Sequence, residues 1–257
     1  MSSLSISCIL PALNEVANIS TTVKRYSEAI EMTQKFLDYE LILINDGSTD
    51  QTGPIMDKLA QESGKIKVIH HIENQGLGKS YRDGLNVCKH EYVLFGYGFV
   101  PHTAQTLSLM FNQVGNADVV LAYVPEIQEL NRGVFRHFVS WFFVSFLNMI
   151  FKLKIYYYNG QAIYPTRNIK TIQLRAARSG AQAEATVKLL SQGLSYVQVG
   201  FEVIKPWHRG ATSSSVNFKN MLYVIRLIGH LFLDVRLKPL FKSTNLFLKL
   251  FFKNTSK

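Results

Sequence analysis

The sequence predicts an α/β fold, a mostly parallel sheet flanked by helices, and three observations carry that expectation. From residue 4 to residue 124, short apolar runs rich in β-formers alternate with runs of helical spacing. The β-type runs are largely apolar at consecutive positions, as strands covered on both faces must be. The first four also end in polar or glycine-bearing turns, and in such sheets ligands sit at the carboxyl ends of the strands.

The elements follow in order. "SISCILPAL" is the first strand, and "NEVANISTTVKRYSEAIEMTQ" has helical spacing. "YELILIND" is a buried strand that turns through "DGSTD" into the helical "QTGPIMDKLAQESG". "IKVIHHI" is the third strand, and "ENQGLGKSYRDGLNVCKH" opens as a glycine-rich turn and becomes a helix. "EYVLFGYG" is the fourth strand, "TAQTLSLMFNQVG" a helix and "ADVVLAYV" the fifth strand. Beyond residue 124 the rhythm breaks into the polar "PEIQELNRGVFRH", an aromatic helix from Phe138, and "KIYYYNGQAIYP", a strand or loop. The helix "AQAEATVKLLSQG" leads into the strand "LSYVQVGFEVI", and "KPWHRGATSSSVN" is a loop by its Pro, Gly and Ser content.

At 257 residues and 47% hydrophobic content the chain suits one large domain and a tail, read as 1–215 and 216–257. Net charge is +10, and residues 216–257 hold eight Lys or Arg against the single acid Asp234, which is +7 of it. The bases there punctuate apolar runs such as "LYVIRLIGHLFL". That pattern argues for one or two amphipathic helices on an anionic membrane surface rather than for nucleic acid. The alternative is a packed helix with a solvated basic face. Cys8 and Cys88 lie in apolar segments without CxxC spacing and read as buried thiols in a reducing compartment. The start has no basic and then long apolar pattern of a signal peptide. The longest apolar run, "FVSWFFVSFLNMIF", is 14 residues and contains Asn148, where a span needs roughly 20. The expected location is the cytoplasm, peripheral on the membrane's cytoplasmic face. The aromatic helix and the tail also offer surfaces on which two chains can pair as a homodimer.

Three strand-end turns carry candidate chemistry. Asp46 in "NDGSTD" can accept hydrogen bonds from a pyrimidine N–H or from ribose hydroxyls, or the turn simply lets Ser48, Thr49 or Asp50 cap the next helix. "PALNE" places Glu15 beside it, either in the site or as a first-turn acid favoured by the helix dipole. "NQGLGKS" suits close approach of a phosphate with Lys79 as counter-charge, or is a plain tight turn.

As a set, PxxNE, (N/D)DGSxD and NxGxG in this order resemble the inverting family 2 glycosyltransferases of the GT-A fold, the Rossmann-like fold of nucleotide-diphospho-sugar transferases. Downstream, "GNADVVLAY", the series Arg132, Arg136, Ser140 and Asn148, then "YYNG", "QAEATVKLLSQGLSYVQV" and "HRGATSSS" are similar to the dolichyl- or polyprenyl-phosphate mannosyl- and glucosyltransferase branch. The resemblance runs over residues 4–230. It implies transfer of a sugar from a UDP- or GDP-type donor to a membrane-surface acceptor, polyprenyl phosphate, by inverting displacement. By the same resemblance Pro11, Glu15 and Asp46 would hold base and ribose, with Gly76, Lys79 and Gly98 lining the pocket. Glu184 matches the acid beside the acceptor. It would take a proton from a hydroxyl acceptor, or only position if the acceptor is already a phosphate. Arg209 with His208 resembles a loop that closes over the diphosphate, where a guanidinium stabilises the leaving group. Arg132 and Arg136 would grip a lipid phosphate, or lie on a solvated helix face.

One segment departs from the family. Its loop after the fourth strand is an Asp-x-Asp type sequence that binds Mg2+ or Mn2+. Here that loop reads Gly96-Tyr97-Gly98, and no Asp or Glu lies between Glu91 and Asp118. Three expectations stay open. A metal is held by Glu184, His102 or His208; or Arg209 and Lys79 supply its charge; or the protein binds a nucleotide sugar, or serves as a scaffold, without transfer.

Overall fold

A computed structural model describes residues 4–125, 134–177, 180–202 and 218–237. Its centre is one sheet of seven strands in the order β3-β2-β1-β4-β6-β5-β7. The strands are β1 (Leu4–Ala12), β2 (Phe36–Asp46), β3 (Ile66–His71), β4 (Tyr92–Phe95), β5 (Val119–Tyr123), β6 (Ala162–Pro165) and β7 (Tyr196–Gly200). All neighbours pair in parallel except β6, which runs antiparallel to both β4 and β5. The mostly parallel sheet flanked by helices is therefore as the sequence predicts. The segment left as strand or loop supplies the one reversed strand, and it separates β4 from β5.

The helices are α1 (Ile19–Thr33), α2 (Thr52–Glu62), α3 (Leu77–Val87), α4 (Ala104–Phe111), α5 (Val134–Phe151), the single turn α6 (Thr166–Ile169), α7 (Ala181–Leu190) and α8 (Phe218–Phe232), which runs on into a π-helical turn, Leu233–Leu237. Successive side chains of a strand point to opposite faces, so the apolar runs feed two cores. Cys8, Leu10, Leu41, Leu43 and Leu94 meet α1, α2 and α4 on one face. Ile9, Ile42, Ile44, Val93 and Phe95 meet α3, α5, α7 and α8 on the other. Cys8 and Cys88 are buried free thiols, and burial pushes both thiols up from their ordinary range.

Asn148, the polar residue inside the aromatic run of α5, folds the chain back on that helix. Its amide donates to Ile155 O at 2.9 Å, and its Oδ1 accepts from Ile155 N at 3.0 Å and from Tyr158 at 2.8 Å. Leu147 and Phe151 bury one side of α5, while Trp141, Phe142 and Met149 stay more than half exposed on the other, at 56%, 56% and 69%. Among the described residues no helix is long and apolar enough to cross a membrane. Of the segment read as a tail, α8 is packed on the body. Leu227 and Leu231 enter the core, and Arg236 donates to Ile150 O at 2.8 Å. Residues 238–257, which complete the segment expected to lie on the membrane, fall outside the described residues.

Candidate active site

The polar turns at the carboxyl ends of β1 and β2 are stitched to each other by side chains. Asn14, in the left-handed conformation at φ 55°, donates its N–H to Ser48 Oγ and accepts from Thr49 N at 2.9 Å. Glu15 N donates to Thr52 Oγ1 at 2.8 Å, and Val16 N to Asp50 Oδ2. The Glu15 carboxylate itself accepts from Asn18 Nδ2 at 2.7 Å. Asp50 also accepts from Thr52 N, the first residue of α2, at 2.9 Å. Gly47, at φ 75°, allows the turn to pass so close to residues 73 and 74 that a Cβ would lie 2.4 Å from the Glu73 carbonyl carbon.

Asp46 and Glu184, the acids expected at the donor and the acceptor, are both buried and both hold backbone. Asp46 is 5% exposed and accepts from Gln75 N and Gly76 N, each at 2.9 Å, which fastens the glycine-rich turn at the start of α3 to the end of β2. Its Oδ1 also meets His71 Nδ1 at 2.7 Å. Glu184 is 2% exposed. It accepts from Arg175 N at 2.8 Å and Ala176 N at 2.7 Å and is paired with Lys188 Nζ at 2.6 Å. Lys188 in turn meets Asp234 at 3.1 Å, so the C-terminal π turn is tied to α7 through this pair. The segment fixed by Glu184 lies against the same glycine-rich turn, with Gly78 N donating to Ala177 O at 3.0 Å and Arg82 bonding Ala176 O. Two buried carboxylates therefore clamp the amino-terminal end of α3 from two sides. Lys79, in its first turn, is paired with Asp83 at 2.5 Å.

The loop after β4 is built otherwise. Gly96 N donates to Ile9 O at 3.0 Å and Gly98 N to Pro11 O at 2.7 Å, so this backbone stays laddered to β1 beyond the strand. A Cβ on Gly98 would lie 2.3 Å from Ala12 Cβ, and one on Gly96 would lie 2.7 Å from Leu10 Cδ2 and from the Tyr26 hydroxyl. Neither position has room for an acid. Between them Tyr97 turns towards α7, donating to Asn159 O at 2.6 Å and meeting Gln182 Oε1 at 3.0 Å. Gln182 donates onward to Tyr81 Oη, which donates to Gly96 O at 2.8 Å. Asn159 Oδ1, in the residue that accepts from Tyr97, is buried with no hydrogen-bond partner among the described residues. His102 is buried edge-on to Phe201 with Nδ1 at 2.8 Å from the Glu202 carbonyl, and burial lowers its pKa. Among the described residues no group of three or more His, Cys, Asp or Glu stands where it could hold a metal. The loop after β4 therefore does not fit a hard divalent cation, which needs oxygen ligands.

Residues 7–96, which carry the turns after β1, β2 and β3 and end at the first residue of the loop after β4, match the Glycosyl transferase family 2 model. That match takes in about a third of the chain. Undecaprenyl-phosphate mannosyltransferase of Micrococcus luteus is 24% identical over 204 residues, 74% of this chain and 80% of that protein. Glycosyltransferase GlyG of Streptococcus pneumoniae is 33% identical over 83 residues, 32% of this chain and 28% of its own length. Glucosyl-3-phosphoglycerate synthase of Mycobacterium tuberculosis, in a structure with Mn2+, UDP and phosphoglyceric acid, superposes with a TM-score of 0.65 at 18% identity, covering 89% of this chain and 78% of that one. The last likeness shows the fold alone, the GT-A arrangement of a mostly parallel sheet flanked by helices.

Of the expected site residues, Pro11, Glu15, Asp46, Gly76, Lys79 and Gly98 come together at the carboxyl edge of β1, β2 and β4 and the start of α3. Glu184 reaches that edge through residues 175–177. Arg132, His208 and Arg209 lie outside the described residues, as does the side chain of Arg136. Sequence reading missed His71, Asp83, Tyr97 and Gln182. His71 follows from the register, because it pairs with Asp46 at the ends of β3 and β2, and Asp83 from its place four residues after Lys79 on α3.

Proposed function

We propose that this chain transfers a hexosyl group from a UDP- or GDP-sugar to a polyprenyl phosphate at a membrane surface, with inversion at the sugar. The observation that carries the reading is the donor edge. The turns after β1 and β2 and the amino-terminal end of α3 are locked together, within the segment that matches the family, at the carboxyl edge of the sheet, where ligands of such folds sit. In the reaction an acceptor phosphate oxygen bonds to the anomeric carbon. The bond from that carbon to the diphosphate breaks on the opposite face, and the nucleoside diphosphate leaves with the electron pair.

A phosphate acceptor is already an anion and needs no general base. That suits Glu184, whose carboxylate is occupied by two backbone amides and Lys188. It fixes the wall of the site instead. Charge on the departing diphosphate falls to cations of the chain, Lys79 and Arg209, because Gly96 and Gly98 leave no space for acid ligands. The similar synthase was solved with Mn2+, so cation dependence has to be measured rather than carried over. The basic residues 216–257, with the exposed Trp141, Phe142 and Met149 of α5, support a peripheral seat on anionic lipid at the cytoplasmic face.

The test is release of nucleoside diphosphate by purified protein supplied with UDP- or GDP-sugars and polyprenyl phosphate in anionic vesicles. Release that needs the lipid, and falls at least about a hundredfold in Arg209→Ala, is the expected result. Tight binding of a nucleotide sugar with no release under any lipid or cation supplied would replace transfer by the second reading, a sugar-nucleotide-binding protein or scaffold.

A further inference from the structure

Four charged side chains stand in a row beneath the start of α3: Asp46, His71, Asp83 and Lys79. His71 Nδ1 is 2.7 Å from Asp46 Oδ1, and its Nε2 is 2.9 Å from Asp83 Oδ2. Lys79 Nζ lies 2.5 Å and 2.6 Å from the two oxygens of Asp83. An ionised carboxylate only accepts hydrogen bonds, so an imidazole held between two of them must donate from both nitrogens and carries a positive charge. The row is then carboxylate, imidazolium, carboxylate, ammonium. The first three members are covered, with His71 at 9% and Asp83 at 20% side-chain exposure, while Lys79 at 42% is the end that meets solvent.

We propose that His71 is a positioning residue whose charge lets Lys79 leave Asp83 for the phosphates of a nucleoside diphosphate. This rests on the function proposed above. Among the described residues Asp83 has two cationic partners, His71 and Lys79. If Lys79 turned to an anionic ligand with no imidazolium behind it, a largely covered carboxylate would be left without a counter-ion, at a cost set against binding. With His71 in place Asp83 keeps one cation throughout. Asp46 is provided for separately, by two backbone amides. His71 thus acts through Asp83 on Lys79 and does not touch the ligand.

The experiment measures binding of UDP, GDP and the bare nucleosides by calorimetry to the full chain and to His71→Asn, Asp83→Asn and the double variant. For whichever nucleotide binds, His71→Asn is expected to weaken the diphosphate about tenfold and leave the nucleoside unchanged. In the Asp83→Asn background, where Lys79 has no carboxylate to abandon, the same change should shrink to about twofold or less. Nitrogen-15 spectra of the imidazole should show protons on both ring nitrogens at neutral pH. Equal loss for nucleoside and diphosphate would mean that His71 only holds the scaffold, and an unchanged diphosphate affinity would likewise overturn the role. Binding of neither nucleotide by the unaltered chain overturns the proposed function and this role together. A ring carrying a single proton overturns the charge row by itself.

Discussion

The turns after β1 and β2 and the loop after β4 lie on the same edge of the same sheet and are held in opposite ways. The first pair is polar, and its side chains are consumed in fixing backbone: Asn14 on Thr49, Asp46 on Gln75 and Gly76, Thr52 on Glu15. The loop after β4 has no such side chains at 96 and 98. It is held by its own N–H groups against β1, at a distance that only glycine permits. An acid on this edge is therefore not by itself the sign of a ligand contact, and the glycines at 96 and 98 belong to the packing. Acids placed there are expected to break the edge before they create a metal site.

The strongest way to break that comparison is Gly98→Asp. Its Cβ would collide with Ala12 and its charge would enter a buried position, so a loss of more than about 3 kcal/mol is expected in chemical denaturation. A stable Gly98→Asp variant that binds Mn2+ would mean that the loop is free to move off β1. Next comes Glu184→Gln, which removes the charge facing Lys188 and replaces one of the two oxygens by an NH2 group, so that either Lys188 or the backbone amides of residues 175 and 176 lose their acceptor. It should cost about 3 kcal/mol and lower Tm by roughly 6–12 °C. Lost turnover at an unchanged Tm would instead make Glu184 a group that acts on substrate. Asp46→Asn should cost about 2 kcal/mol and loosen residues 73–77, read as faster amide exchange there.

The smallest expected effect concerns acid. Burial depresses His102, so its neutral form is the one the fold accommodates. Its contribution is complete above the unfolded value of about 6.5 and is lost as pH falls below that. His90, lowered by burial as well, adds in the same direction. His102→Leu should shallow the acid limb of a stability-against-pH curve without removing it. Outside that ordering stands a null result. Nucleotide affinity with and without EDTA should differ by less than about twofold if no cation takes part.

The alternation of elements, the parallel pairing and the strand-end location of the turns were legible because they rest on local patterns: apolar runs, helical spacing and turn residues. Asp46 and Gly76 were placed on one edge for the same reason. What stayed hidden depends on contacts between distant segments. Nothing in "AQAEATVKLLSQG" tells that Glu184 bonds residues 175 and 176, because an acid in the first turn of a helix looks the same whether it faces water or a neighbouring loop. The short run "AIYP" gave no direction, and its reversal is fixed by pairing with β4 and β5. The meeting of Tyr97 with Gln182 and the seat of α8 on the body are likewise matters of packing.

The reversed strand has a consequence for how the chain reaches this structure. β4 and β5 follow one another in sequence yet never touch, because β6 sits between them. The slot must stay open until the excursion through α5 has returned residues 162–165, and only then can β5 and β7 join the sheet. Pairings so distant along the chain are slow to form. In pulse-labelled hydrogen exchange during refolding, amides of β1 and β2 should gain protection first and those of β5 and β7 last. For that interval the growing sheet ends in the bare edge of β4, the strand that leads into the glycine loop, and that edge is where a refolding chain is most exposed to pairing with a second one.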